Sequence, residues 1–68
     1  MAADERNKLK VLLGHWIEHN REHSEEFQDW AERAKAFGEA DIGEDISGAA
    51  RELDKANECL SRALKRLA

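Results

Sequence analysis

Three histidines spaced four residues apart are the residues of this sequence whose types and spacing suggest chemistry. His15, His19 and His23 are the only histidines of the chain, and they lie in the stretch GHWIEHNREHSEEFQDW. A spacing of four returns a helix almost to the same face, so three imidazoles in one helix form a ladder. Imidazole nitrogens, here surrounded by glutamates, are preferred ligands of divalent first-row metals. The pattern predicts a transition-metal site.

The composition indicates a small all-α protein. The chain has 68 residues and no proline, and it is rich in alanine, leucine, glutamate, lysine and arginine, which favour helices. A net charge of -4 argues against a nucleic-acid partner, and no apolar run is long enough to span a bilayer. The single cysteine, Cys59, has no internal disulfide partner, so we expect a cytoplasmic protein.

The chain divides once, near its middle, where Gly38 follows a long helical pattern and is expected to be a left-handed C-cap. We predict one domain over residues 1–68. It consists of helix 1 over about residues 4–37, a turn over about 38–41 and helix 2 over about 41–67.

The start of helix 2 carries both favourable and unfavourable signals. Asp41 is the expected N-cap, and Glu44 stands three positions later, as in a capping box. Gly43 and Gly48 are expected to weaken this end by roughly 1 kcal/mol each relative to alanine.

Both predicted helices carry stripes of residues at alternating steps of four and three, which favours an antiparallel helical hairpin. The predicted seam pairs bulky residues of helix 1 with small residues of helix 2. The stripe of helix 1 consists of Leu9, Leu13, Trp16, Asn20, His23, Phe27, Trp30, Ala34 and Phe37. That of helix 2 consists of Ile42, Ile46, Ala49, Leu53, Ala56, Leu60, Ala63 and Leu67.

A turn near residues 39 and 40 sets the register of this hairpin and brings several metal donors to one flank. His19 is then expected to face Cys59, and Glu26 to face Glu52; further along, Arg33 is expected to face Asp45. Imidazole and thiolate together suit Ni²⁺ or Zn²⁺ better than Mg²⁺ or Ca²⁺. The predicted metal ligands are His15, His19, His23, Glu26, Glu52 and Cys59.

Simpler interpretations stay open for the same residues. Histidines among glutamates can form a solvated helix face, and His23 with Asn20 can be a buried polar pair that fixes the helix register. Cys59 alone can be a small, half-buried hydrophobic residue. No oxyanion hole, cleft or orienting third group accompanies Cys59 and His19, so we expect no enzyme.

The opposite flank of the predicted hairpin favours self-association. There Ile17 is expected to face Leu64, and Ala31 to face Ala50, which leaves an apolar strip in water. We therefore expect a homodimer that forms a four-helix bundle. The residues expected in core or dimer packing are Leu13, Trp16, Ile17, Phe27, Trp30, Leu53, Leu60 and Leu64.

The run LLGHWIEHNREHSEEFQDWAERA resembles a short prokaryotic helical module with the pattern HWxxHNxxHxxEFxxWA. The module is associated with small nickel-binding accessory proteins of carbon monoxide dehydrogenase maturation. The resemblance implies a metal-handling or metal-sensing accessory role, with nickel as the first candidate and a metalloenzyme-maturation protein as partner. It is carried by His15, Trp16, His19, Asn20, His23, Glu26, Phe27 and Trp30. Helix 2 matches only in the pattern ANExLxxAL, and Cys59 carries none of the match.

Two functions are therefore expected from the sequence. The first is a transition-metal-binding accessory or sensing module that uses the histidine ladder. The alternative is a structural four-helix-bundle dimerisation module whose histidines bind no metal.

Overall fold

The computed structural model describes residues 2–68 and contains two long helices joined by a tight turn. Helix α1 spans Ala2–Ala36 and helix α2 spans Ala40–Leu67. The helices pack against each other along their length and form a rod of 54 × 14 × 13 Å. The predicted all-α two-helix hairpin is confirmed. Over the described residues, neither helix has a segment long and apolar enough to cross a membrane.

Polar contacts at both ends of the rod set the antiparallel alignment of the helices. Near the turn, Nζ of Lys35 lies 3.2 Å from Oε2 of Glu44. At the open end, the guanidinium of Arg6 donates to the carbonyl oxygen of Leu67 over 3.3 Å. The first residues of α1 therefore lie beside the last residues of α2.

Gly38 ends α1 in the left-handed conformation that the sequence predicted, with φ of 96°. Its N–H donates to the carbonyl oxygen of Lys35 over 3.2 Å, and the N–H of Glu39 donates to that of Ala34 over 2.8 Å. These two bonds form a Schellman motif, which satisfies carbonyl groups that the end of a helix leaves free.

The predicted capping box at the start of α2 is wrong. The N-cap residue is Glu39, which makes no side-chain capping hydrogen bond, and Asp41 lies within the first turn of the helix. Because Gly38 turns the chain within one residue, α2 begins directly after the turn, at Ala40. In the first turn, the carboxylate of Asp41 still interacts favourably with the positive end of the helix dipole.

The seam between the helices is rotated by about one residue from the predicted one. On α1 it follows another stripe with the same steps of four and three: Leu13, Ile17, Asn20, Ser24, Phe27, Ala31 and Ala34. Ala31 and Ala50, expected on a wet strip, are each only 1% exposed. The predicted and the observed stripe of α1 share every second member. The observed stripe wins because its small residues let the two helix backbones approach closely, whereas Trp16 and Trp30 between the helices would hold the backbones apart.

Gly43 marks the closest approach of the two helices. It is buried, and a Cβ atom at this position would lie 2.7 Å from Cγ of Lys35 and 2.8 Å from the carbonyl oxygen of Ala31. The sequence suggested that Gly43 only weakens α2. The structure gives it a packing role instead, because any larger residue would push the helices apart.

Polar side chains in the middle of the seam are bonded across it. Asn20 donates to Oδ1 of Asn57 over 3.1 Å, and Asn57 donates in turn to the carbonyl oxygen of Ile17 over 2.9 Å. One turn further on, the buried hydroxyl of Ser24 donates to Oδ1 of Asp54 over 2.8 Å. The partner of Asn20 is thus Asn57 rather than His23. These bonds fix the register of the hairpin.

Candidate functional site

The three histidines form the predicted ladder on the exposed side of α1. The ring centroids of His15 and His19 are 5.9 Å apart, and those of His19 and His23 are 4.6 Å apart. The ring of His23 lies a further 5.9 Å from that of Phe27. The helix alone produces this stacking, since residues four apart lie one turn above each other.

His19 and His23 form the tightest pair of the ladder. Their Nε2 atoms lie 2.8 Å apart, the distance of a hydrogen bond between one protonated and one unprotonated ring nitrogen. On the other side of the His23 ring, Oε1 of Glu26 lies 3.5 Å from Nδ1. A carboxylate at Nδ1 favours the tautomer that carries its proton there, which leaves Nε2 of His23 free to donate a lone pair.

The separation of the two Nε2 atoms also suits two ligands of one metal ion. With metal–nitrogen distances of about 2.1 Å, two donors at a right angle lie about 3.0 Å apart, and two donors of a tetrahedron about 3.4 Å apart. The observed 2.8 Å therefore fits adjacent corners of a square-planar or octahedral site. Tetragonal geometry with nitrogen ligands is characteristic of Ni²⁺ and Cu²⁺.

The other predicted ligands lie apart from this pair. Glu52 is paired with Lys55 at 3.4 Å, and the exposed Sγ atom of Cys59 accepts a hydrogen bond from Arg62 over 3.2 Å. His15 stands at the outer end of the ladder and is exposed. Within residues 2–68, no group of three or more histidine, cysteine or acidic side chains is arranged to hold a metal ion.

The rotation of the seam accounts for this separation. The expected approach of His19 to Cys59 required helix 1 to present the stripe through Trp16 and His23 to α2. In the structure α1 presents the stripe through Ile17 and Ser24, which turns His19 away from α2. The expected pair of Arg33 with Asp45 is replaced by a contact of 3.2 Å with Asp29.

His23 of the histidine pair belongs to a large exposed apolar surface, which we call the aromatic face. Trp16 is 42% exposed, Trp30 48% and Phe37 65%. A groove of about 370 Å³ runs between the helices beside Glu26, Phe27, Trp30, Ile46 and Ala49. The aromatic face consists of Leu9, Trp16, His23, Trp30 and Phe37 on α1, and of Ile42, Ile46, Ala49, Leu53, Ala56, Leu60, Ala63 and Leu67 on α2.

The members of the predicted packing set differ widely in burial. Leu13 is buried in the seam, whereas Trp16 and Trp30 are exposed on the aromatic face. The other members are half-buried: Ile17 and Phe27 in the seam, Leu53 and Leu60 on the aromatic face, and Leu64 on α2. Over Trp30, the guanidinium of Arg33 lies 4.7 Å from the ring centroid, a cation–π contact that covers only part of the indole.

The side of α1 that faces away from the aromatic face is charged. Arg21 forms ion pairs with Glu18 and Glu25, and its Nη1 atom lies 3.0 Å from Oε2 of Glu25. Hydrogen bonding to the Glu18 carboxylate, and the negative charge of both glutamates, hold the pKa of Arg21 above its ordinary value. This charged cluster therefore lies on the side of α1 opposite the aromatic face.

Sequence reasoning missed the polar layer of the seam. Asn20 and Asn57 stand opposite each other in the hairpin register, and so do Ser24 and Asp54. The signal was present, since a polar residue that recurs at a seam position of both helices predicts a cross-helix hydrogen bond. The prediction followed the aromatic stripe instead, because that stripe is more hydrophobic.

Comparisons with known proteins place the chain in a family. The sequence model of a domain of unknown function (DUF8180) matches residues 9–67. The chain belongs to this family. It is also similar to an uncharacterized protein of Archaeoglobus fulgidus, with 33% identity over 57 residues. That alignment covers 84% of this chain and 90% of the archaeal protein. No solved structure matches.

Proposed function

We propose that this chain is a small transition-metal-binding module in which His19 and His23 are the principal donors. The observation that supports this function is the separation of 2.8 Å between their Nε2 atoms, which suits two adjacent ligands of one ion. Both rings are accessible, so small rotations about their side-chain torsions would direct both lone pairs to a common point.

The resemblance carried by the histidine pattern of helix 1 makes Ni²⁺ the first candidate, ahead of Zn²⁺. Glu26 acts as the outer carboxylate that orients His23 through Nδ1. In this proposal His15, Glu52 and Cys59 are not ligands, because each of them lies apart from the central pair.

Two protein donors suit an accessory role in which the metal is held reversibly. A structural metal site has all of its positions filled by protein, whereas a pair of imidazoles leaves positions open for water or for a receiving protein. We therefore propose that the module carries or senses the ion, with a metalloenzyme-maturation protein as the recipient. The free thiol of Cys59 suits a reducing cytoplasm.

Isothermal titration of the metal-free protein with Ni²⁺ and Zn²⁺ at neutral pH, under reducing conditions, tests this function. Binding at about micromolar affinity or tighter is expected, with Ni²⁺ ahead of Zn²⁺. His19→Ala should abolish it. His15→Ala is the matched control, because it removes an exposed imidazole of the same helix and leaves the pair intact. Equal loss in both variants would contradict the assignment of the pair.

A second function, a dimerisation module, is favoured by the aromatic face. Two tryptophans and a phenylalanine at 42–65% exposure form more contiguous apolar surface than a small monomer normally leaves in water. Light scattering across a range of protein concentrations measures the assembly directly. A dimer of twice 7.7 kDa that binds no metal would make assembly the primary function.

A further inference from the structure

We infer that the aromatic face is covered by a second copy of this chain, packed so that a two-fold axis passes through His23 and joins the two histidine pairs into one metal site. The order of residues on α1 supports this arrangement. Trp16 and Trp30 stand seven residues on either side of His23, and Leu9 and Phe37 stand fourteen on either side. Such a mirrored stripe is complementary to an antiparallel copy of itself, as a two-fold interface requires.

The stripe of apolar residues on α2 is also symmetric about its centre. Its residues pair about a point between Asp54 and Lys55. Around that point Leu53 matches Ala56, and Ala49 matches Leu60, so large residues of one copy meet small residues of the other. Ile46 with Ala63 continues the pattern, and the outermost pair, Ile42 with Leu67, joins two large residues.

The two centres lie at the same level of the hairpin. Ser24, the neighbour of His23, donates to Asp54 over 2.8 Å, which places the midpoint of the α1 stripe beside the midpoint of the α2 stripe. One two-fold axis can therefore satisfy both helices at once. The matching order of side chains about this shared centre favours a second copy of this chain, rather than an unrelated protein, as the occupant.

In this dimer α1 packs against α1 of the second copy, and Trp16 lies beside Trp30 of that copy. The alternative four-helix bundle has its two-fold axis parallel to the helices, and it places α1 on α2 of the second copy. Trp16 would then meet Ala63, and His23 would meet Ala56. That arrangement uses the small residues of α2 but makes no use of the mirrored order around His23.

The metal site follows from the antiparallel arrangement, and this part of the inference rests on the proposed function. The close pair of one chain offers two imidazoles, and no group of three donors arranged to hold a metal ion exists within the described residues. At the two-fold axis His19 and His23 of both copies meet, which gives four imidazoles, with Glu26 of each copy near His19 of the other. Four nitrogen donors in one plane suit Ni²⁺ or Cu²⁺, and in an octahedral ion they leave two positions open for water or for a receiving protein.

Disulfide cross-linking of single-cysteine variants tests the arrangement without any metal. In a Cys59→Ser background, neither Trp16→Cys nor Trp30→Cys should cross-link with itself under oxidised glutathione. A mixture of the two should give a mixed dimer, because residues 16 and 30 are neighbours across the axis. His23→Cys should cross-link with itself. Circular dichroism confirms that each variant keeps its helices, since all three sites lie outside the seam.

The remaining outcomes overturn the arrangement in different ways. Self-cross-linking of Trp16→Cys indicates parallel α1 helices, and cross-linking of Trp16→Cys with Ala63→Cys indicates the bundle with its axis along the helices. No cross-link in any combination indicates that no second copy covers the face. Val11→Cys is the control for random collision, because Val11 is 73% exposed and lies away from the aromatic face.

The shared site is tested by the stoichiometry of Ni²⁺ binding. One ion per two chains is expected. Trp30→Glu, which places a charge on the aromatic face, should weaken binding more than about a hundredfold, since even the loss of an outer hydrogen bond costs 10- to 100-fold. Unchanged binding by a monomeric Trp30→Glu would show a site complete in one chain, which overturns the sharing and preserves the proposed function. If the variants cross-link as expected but the protein binds no Ni²⁺, the two-fold packing is supported and the metal-binding function is contradicted.

Discussion

Asn20 and Asn57 are hydrogen-bonded to each other across the helix seam over 3.1 Å, and Asn57 also donates to the carbonyl oxygen of Ile17 over 2.9 Å. A one-turn slip of either helix would break both bonds. The pair therefore specifies one register among several that a seam of small residues would tolerate.

Asn57→Ala is expected to destabilise the hairpin by about 1–3 kcal/mol, because it leaves Asn20 without its seam partner. Chemical denaturation monitored by circular dichroism measures this loss. A double-mutant cycle with Asn20→Ala isolates the pair and should give a coupling of about 0.5–1.5 kcal/mol. Additive effects of the two substitutions would mean that the bond contributes nothing to stability.

Gly43→Ala is expected to destabilise the protein by about 1–3 kcal/mol, although alanine favours helix. The new methyl group would lie 2.7 Å from Cγ of Lys35 and 2.8 Å from the carbonyl oxygen of Ala31, so the helices must separate. Thermal unfolding compares it with the matched control Gly48→Ala. There the nearest atom is the Arg51 guanidinium at 3.7 Å, and a gain of about 0.5–1 kcal/mol is expected. Equal effects at both glycines would rule out close approach as the role of Gly43.

The hairpin itself could be predicted from the sequence because its signals are local. Helix-favouring composition, the absence of proline and Gly38 between two periodic segments suffice to give two helices and their antiparallel order. The phase of the seam could not be predicted in the same way. Two stripes on α1 share Leu13, Asn20, Phe27 and Ala34. They differ in which residues between these turn inward: Trp16, His23 and Trp30, or Ile17, Ser24 and Ala31.

The candidate site was predictable to the same extent. The ladder of His15, His19 and His23 depends only on helical spacing, and the structure has it. The approach of Cys59 depended on the phase of the seam, and Cys59 contacts Arg62 instead. Local geometry was thus predictable, whereas contact between helices required knowing that polar residues such as Asn57 and Asp54 belong to the seam.

Gly38→Ala is expected to cost about 1–2 kcal/mol, because φ of 96° brings a Cβ atom too close to the following carbonyl oxygen. Open space surrounds this position, so the cost is one of backbone strain rather than packing. Gly14→Ala is the control, since Gly14 lies within α1 with nothing near its missing Cβ atom, and it should be stabilising. Urea unfolding of both variants gives the comparison; a loss at Gly14 as large as that at Gly38 would contradict the strain argument.

Ni²⁺ is expected to raise the melting temperature of the protein, because an ion that binds only the folded state stabilises it by mass action. At a free concentration of about 100 times its dissociation constant, the gain is about 2.7 kcal/mol. For a domain of this size that corresponds to an increase of more than about 10 °C. The increase should persist in His15→Ala, disappear in His19→Ala and be reversed by a chelator. In His19→Ala, Nε2 of His23 loses the partner that lies 2.8 Å away, and a single exposed imidazole binds the ion too weakly to shift the transition. A shift of the same size in His19→Ala would place the ion elsewhere on the chain.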